Sequence, residues 1–374
     1  MPDPRPAPLH LIRPEVRAER AYRVPTDAEA AAKLDQNESP FDLPEALKRT
    51  LVEGFAATEW NRYPDDRPHR LIAALAERLG LPTESVIVGR GSNELTHTVG
   101  LCLLGRGTPV VLPHPMFALF ASVARMHAAE IVGVAPEADL SHDAEAILAA
   151  ARRADAALTI VTSPNNPTGR VIPFEGLEAL AAGAPGFVLF DEAYHEFVEG
   201  PTAADLLRRH PNVLVMRTFS KAMGLAGLRL GLLLGAPEVI QEIEKARLPF
   251  LVDRLSERAA LEVLAHPEWV AERVATLKAE RARMERAASA MEGVEVIPGA
   301  ANFFLMRTPL APADLVGGLA ARSVRVRDVS AYPGLGGDGA RPGWVRVSVG
   351  APAENRAFEV ALQHVLSAAG VPAG

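Results

Sequence analysis

Lys221 stands in Thr218-Phe219-Ser220-Lys221, and Arg229 follows eight residues later in an apolar, glycine-rich run that reaches Leu234. The chain has five lysines against thirty-four arginines, so a lysine in such surroundings needs a reason. A lysine amine in water has a pKa near ~10.4 and is a poor nucleophile while it holds its proton. Upstream, Asp191 closes the apolar run Phe187-Val188-Leu189-Phe190, and Tyr194 follows three residues later. A carboxylate there is costly unless a cation or buried donor meets it.

An amine and an acid in need of a cation suit a phosphorylated pyridine aldehyde, pyridoxal 5'-phosphate. Lys221 would take the aldehyde carbon and, once a substrate frees it, move a proton. Asp191 would keep the ring nitrogen protonated, and Tyr194 would donate to the phenolic oxygen. Taken alone, these two also read as a capping acid and a core-edge tyrosine. The phosphate needs a cradle. Gly89-Arg90-Gly91-Ser92-Asn93-Glu94 separates a strand from a helix, so amides at Ser92 and Asn93 can point at an anion, though Ser92 also reads as a simple cap. Ser220 and Thr218 add hydroxyls, and Arg229 adds a planar charged fork. In Thr162-Ser163-Pro164-Asn165-Asn166-Pro167-Thr168-Gly169, two prolines and a glycine make a rigid turn that presents Asn166. Phe117 either stacks on the ring or begins a helix as a core aromatic.

These residues must be carried by regular elements. The strands expected are Val86-Val88, Pro109-Leu112, Ala129-Val134, Ala157-Val161, Phe187-Phe190, Val213-Arg217 and Leu230-Leu234, several of them continuously apolar. Short amphipathic helices separate most of them, the pattern of an open α/β sheet with mostly parallel strands covered on both faces. Such sheets bind ligands at the carboxyl ends of their strands, where Asp191 and Lys221 fall. A long helix over Pro267–Met291 follows, then a smaller α+β pattern that includes a strand over Val324–Arg327. The expected division is an arm over 1–34 joined to the small domain, a large α/β domain over 35–280, and a small α+β domain over 281–374. The first thirty residues, rich in Pro and Arg, are expected to form an arm rather than a packed element.

Composition narrows the function classes. The chain has 374 residues, 48% hydrophobic and 23% charged, which suits a folded globular protein of two domains. A net charge of -7 without a block of like charge argues against a nucleic-acid partner. No secretion signal or membrane-spanning run is apparent, so a cytoplasmic location is expected. Cys102, the single cysteine, is expected to be a buried small hydrophobe, and no metal-ligand spacing stands out among the ten histidines.

Asn-Pro-Thr-Gly at 166–169, Asp-x-x-Tyr at 191–194 and Ser-Lys-x-x-x-x-x-Gly-x-Arg at 220–229, in this order, resemble the fold-type I pyridoxal-phosphate-dependent aminotransferases. The resemblance spans Asp35 to Ser348. It implies a large domain with a mostly parallel central sheet flanked by helices, plus a small α+β domain. It implies Lys221 as the attachment lysine, Asp191 as the pyridine partner, and Tyr194 and Asn166 on the phenolic oxygen. Phe117 would stack on the ring, and Ser92, Asn93, Thr218, Ser220 and Arg229 would surround the phosphate. It also implies a homodimer in which Tyr63 of Arg62-Tyr63-Pro64-Asp65 reaches the partner's cofactor.

Asn37-Glu38-Ser39-Pro40, Arg327-Asp328 and Val345-Arg346-Val347-Ser348 resemble the branch of that family that acts on histidinol phosphate. The implied partners are L-histidinol phosphate and the L-glutamate/2-oxoglutarate pair. Arg346 would bind both substrates' anions and Arg327 would add charge for a phosphate, while Arg327 also reads as a surface residue. Tyr22, Asn37 and Asn166 complete the expected substrate contacts. The glycine-rich connection from Val329 to Gly339 departs from the family's form, which leaves aromatic amino-acid transamination and phospho-amino-acid decarboxylation as alternatives. A regulator that binds DNA is the least favoured reading.

Overall fold

The computed structural model describes residues 7–21, 30–339 and 341–371. Seven strands form the large sheet in the order Val86–Gly89, Gly231–Leu234, Val213–Thr218, Phe187–Asp191, Leu158–Thr162, Pro109–Pro113, Glu130–Val134. Only Gly231–Leu234 runs against its neighbours. The others are parallel, as their continuous Val/Leu/Ile runs require, because helices cover both faces and neither side can be polar.

Alternate residues of each strand feed the two faces. Val188, Phe190 and Val215 join one core cluster, while Leu189, Leu214 and Met216 join the other. The alternation continues past the strand end and separates Asp191 from Glu192. Asp191 enters a cleft on one side; on the other, Glu192 is buried and accepts from Arg217 Nε at 3.0 Å and Nη2 at 2.8 Å. The Ala203 N–H also donates to Glu192, at 2.6 Å. This buried pair pins neighbouring strands just behind the cleft floor.

A second, antiparallel sheet follows in the order Arg327–Asp328, Val345–Ser348, Phe303–Arg307, Glu295–Ile297. The single strand expected over Val324–Arg327 is broken in two. Val324–Arg325 pairs in parallel with Ala32–Lys33, whereas Arg327–Asp328 pairs with Val345–Ser348. A two-residue bridge with a distant segment leaves no pattern in the sequence. Helix Pro267–Ser289 runs without interruption through residue 280, so the expected boundary falls inside a continuous element.

The burial expected of Cys102 is overturned, whereas the described part of the arm is docked without being buried: Pro14–Ala18 is helical, Arg13 Nη2 donates to Met126 O at 2.6 Å, and Glu19 binds Arg125 and Ser122 of helix Ala118–Met126, while Leu9, Leu11, Ile12 and Val16 stay exposed. Charge pairing rather than an apolar stripe holds it, so hydrophobic periodicity gives no warning. Cys102 is exposed, because Leu95, Thr96, Val99 and Gly100 form the packed face of helix Ser92–Leu103 and turn Leu101 and Cys102 outward. An apolar run all around a helix does not say which face is buried.

Arg217→Met is expected to destabilise the fold by ~3–5 kcal/mol in urea unfolding, because it leaves Glu192 buried without its cation. Adding Glu192→Gln should recover much of that loss; a single variant as stable as wild type would refute the pair's importance.

Candidate active site

A cleft of about 880 Å³ opens at the carboxyl ends of the parallel strands and brings most of the expected residues together. Asp191 ends its strand at the cleft floor, where the Ala193 N–H donates to its Oδ1 at 3.1 Å. Burial pushes this carboxyl up to about 7. Lys221 follows strand Val213–Thr218, the next strand over, and its Nζ donates to Gln36 O at 3.0 Å. Burial, with Arg346 and then Arg229 nearby, pulls the amine down to about 7. Acid and amine therefore share one cleft, with no ion pair between them within 4.0 Å among the described residues. Tyr194 is buried and its hydroxyl accepts from Asn37 Nδ2 at 2.9 Å. Desolvation raises the phenol to about 12, so it stays protonated and can donate.

At one end of the cleft lies an anion cradle. Ser92 opens helix Ser92–Leu103, and Gly91 caps it with φ +80°. A Cβ on Gly91 would lie 2.6 Å from Arg229 Nη2, so glycine makes room for that guanidinium. Arg229 itself has φ +53°, a strained setting for a side chain, and donates to Ser220 Oγ at 3.3 Å and Ala226 O at 2.9 Å. Thr218 lines the cleft, but its hydroxyl donates to Leu230 O at 3.2 Å and accepts from the Ser220 N–H at 3.1 Å. It shapes the Ser220 turn. Asn93 and Phe117 also line the cleft, and Phe117 meets Phe120 edge-on at 6.2 Å.

The cleft also carries Arg346 and Arg327, which lie directly across from each other on antiparallel strands. Arg346 is buried; its Nη1 donates to Asn166 Oδ1 at 2.6 Å and its Nη2 to Asp35 O at 2.7 Å. Asn166 thus has its carbonyl oxygen engaged and its amide left to donate. The neighbouring Asn165 is the residue that ties the turn, donating to Pro115 O and Thr168 Oγ1, each at 2.9 Å. Asn37, at φ +54°, takes Ser348 Oγ as donor at 2.7 Å and gives its own N–H back to Ser348 at 2.9 Å. Its buried side chain links the second sheet to the Tyr194 hydroxyl.

Tyr63 is 77% exposed, stacked on Phe250 at 4.6 Å and away from this cleft, and Tyr22 falls outside the described residues. Several cleft residues escape sequence reading: the Gln36 carbonyl, the Lys33–Glu38 pair, the arm residues Glu19 and Arg20, and Tyr332. Gln36 and Glu38 flank Asn37, which was the available signal. Tyr332 lies in the glycine-rich connection and had no motif to mark it.

The depressed lysine gives a test that needs no ligand. At pH 7 about half of a pKa-7 amine is neutral, against a few parts in ten thousand for an ordinary lysine. Trace acetic anhydride on cofactor-free protein, read by peptide mass, should acetylate Lys221 ahead of Lys48 and Lys245 at pH 7. That advantage should shrink by about 10-fold or more by pH 10, where a substantial fraction of ordinary lysine amines is neutral as well. A constant ratio across that range would contradict the shifted amine.

The aminotransferase class I and II family model matches residues 30–365. Histidinol-phosphate aminotransferase of Chlorobaculum parvum is 40% identical over 323 residues, covering 86% of this chain and 91% of that one. The enzyme of the same name from Chlorobium phaeovibrioides is 38% identical and covers 93% and 94%. Histidinol-phosphate aminotransferase of Sinorhizobium meliloti, solved in complex with pyridoxal-5'-phosphate, superposes with a TM-score of 0.84 at 28% identity, covering 95% of this chain and 97% of that one. The chain belongs to the aminotransferase class I and II family.

Proposed function

We propose that this chain transfers an amine between L-histidinol phosphate and 2-oxoglutarate, giving imidazole-acetol phosphate and L-glutamate, with pyridoxal 5'-phosphate as cofactor. The observation that carries this reading is the pair Arg327 and Arg346, opposed across a sheet at the end of a cleft that also holds Lys221 and Asp191. Two guanidinium groups on facing strands of one cleft wall suit an anionic ligand, which their planar forks can bind bidentately. The names of the relatives point the same way.

The residues fit the cofactor. Asp191 is a desolvated carboxyl with no cation within 4.0 Å among the described residues, which is the partner a protonated ring nitrogen wants. Ser92, Ser220 and the Arg229 guanidinium, which glycine at 91 lets approach the helix N-terminus, suit a phosphate. Lys221 would hold the aldehyde carbon, Phe117 would cover one face of the ring, and Tyr194 and the Asn166 amide would donate to its phenolic oxygen. When bound, the ring supplies an electron sink for the carbon that bears the substrate's amine.

The chain's own groups do the rest. Asp191 would hold the proton on the ring nitrogen and so deepen the sink. Lys221 Nζ, neutral near pH 7, would take the proton from the substrate's alpha carbon and deliver it to the cofactor's aldehyde carbon, on the other side of the nitrogen. Asn37 aims the Tyr194 hydroxyl. Arg346 holds the carboxylate of glutamate or the phosphate of histidinol phosphate, and Arg327 adds the charge that a dianion deserves. We also propose that the working unit is a homodimer in which Tyr63 serves the partner's cleft. Supporting this is an exposed apolar surface around it, with Trp60 at 70% and Leu248 at 72%.

Single half-reactions, followed by cofactor absorbance, test the assignment. Lys221→Ala should abolish covalent cofactor attachment, read by borohydride fixation and peptide mass, and nearly all turnover. Arg346→Ala should lower kcat/KM about 100-fold for both L-glutamate and L-histidinol phosphate, a loss of ~3 kcal/mol. Arg327→Ala should cost the phosphorylated donor roughly 10-fold more than glutamate. Equal losses in the Arg327 variant would defeat the division of labour. A wild-type enzyme that fails to convert histidinol phosphate would remove the substrate assignment.

A further inference from the structure

The glycine-rich connection between Asp328 and Trp344 is a built turn with fixed ends. Val329, Leu335 and Trp344 are buried in one apolar cluster with Leu305 and Ile297. The Trp344 N–H donates to Leu335 O at 3.1 Å, and the Val329 N–H donates to Trp344 O at 3.3 Å, closing the base. Asp338 and Arg341 brace the tip, with Arg341 Nη2 donating to Asp338 Oδ2 at 2.8 Å. Two glycines are needed for close approach: a Cβ on Gly337 would lie 2.6 Å from Arg341 O, and one on Gly343 would lie 2.6 Å from Ser330 Cβ and 2.9 Å from Leu335 O.

Tyr332 is the residue this turn presents. Its N–H donates to Val329 O and its carbonyl accepts from Leu335 N–H, both at 3.0 Å, so its backbone is held on both sides. The side chain packs against the buried cluster and also lines the cleft with Arg327, Arg346 and Tyr194. Four aromatic side chains line the cleft among the described residues: Phe117, Phe120, Tyr194 and Tyr332. Phe117 and Tyr194 are taken by the cofactor, and Phe120 is buried at 2% exposure. Among the described residues that leaves Tyr332, carried by the connection between the two strands that bear Arg327 and Arg346.

We infer that Tyr332 sets specificity for the donor's side chain, its ring forming the wall against which a flat aromatic group lies. This inference rests on the amine-transfer reading given above. With the donor's anion at Arg327 and Arg346 and its amine at Lys221, the remaining part of the molecule falls against this wall. A five- or six-membered ring gains stacking and apolar burial there. Glutamate has no ring and gains neither, so the wall discriminates between the two donors that the enzyme must alternate.

The test compares single half-reactions of holoenzyme with L-histidinol phosphate and L-glutamate in wild type, Tyr332→Phe and Tyr332→Leu. The Phe variant should keep the ratio of the two kcat/KM values within about 2-fold, because the ring remains. The Leu variant, which fills similar space, should lower the ratio roughly 10-fold, chiefly through KM for the ringed donor. Equal losses on both donors, an unchanged ratio, or a Phe variant as impaired as Leu would each overturn the inference. Should wild type reject histidinol phosphate but accept L-phenylalanine, the function proposed above fails while the same ratio, taken with that donor, still decides the role of Tyr332. If it accepts no aromatic donor, the inference fails as well.

Discussion

An acid and an amine held in one desolvated cleft without neutralising each other is the constraint on which this structure depends. Asp191 and Lys221 sit at the ends of adjacent parallel strands, and burial moves both toward neutrality, the carboxyl up and the amine down to about 7. A direct ion pair would have stabilised both groups and left neither available. The fold prevents it by giving each a backbone partner instead, the Ala193 N–H for the acid and the Gln36 carbonyl for the amine. Behind them the buried Glu192–Arg217 pair absorbs the one strong salt bridge that this strand end forms. Alternation along a strand does the sorting, because adjacent residues must face opposite sides of the sheet.

Asn37 joins this site to the second sheet. It sits in a left-handed backbone conformation, exchanges two hydrogen bonds with Ser348, 311 residues away, and donates to Tyr194. Asn302 adds a third tie by donating to Asn37 O at 3.1 Å. Strain at a buried asparagine persists only where its surroundings over-determine it. Here the network transmits the position of the strand carrying Arg346 to the hydroxyl of Tyr194. The arginine end and the lysine end of the cleft are thereby held in one register.

Much of the large sheet could be read from the chain, since seven apolar runs with helical spacers leave few other folds. Lys221 and Asp191 were legible for a related reason: each interrupts an apolar pattern with a charge that the pattern does not tolerate. What escaped was set by long-range contact. Asn166 was named through its Asn-Pro-Thr-Gly motif, but nothing local marks its neighbour Asn165 as the residue that ties the turn. The division of Val324–Arg327 between two sheets follows from a two-residue pairing with Ala32–Lys33. Cys102 failed for the opposite reason, since an apolar composition suggests burial but not which face of a helix receives it.

The distribution of charge along the cleft completes the argument. The chain carries a net charge of -7, so its overall field does not favour anions. Within the cleft, Glu38 is matched by Lys33 and Glu19 by Arg125, and Asp191 stands near the middle close to Lys221. The cleft's arginines gather in two places: Arg229 at the helix N-terminus and the Arg327/Arg346 pair on the antiparallel strands. A low-dielectric cleft focuses such charges on whatever lies between them. A cleft with cations gathered in two places and the proton-transfer lysine beside them suits a ligand set with one anion on the cofactor and one on the substrate. A substrate lacking its own anion would forgo the bidentate, charge-assisted hydrogen bonds that Arg327 and Arg346 can offer, and that lost attraction is a physical basis for favouring phosphorylated and carboxylated amines over neutral ones.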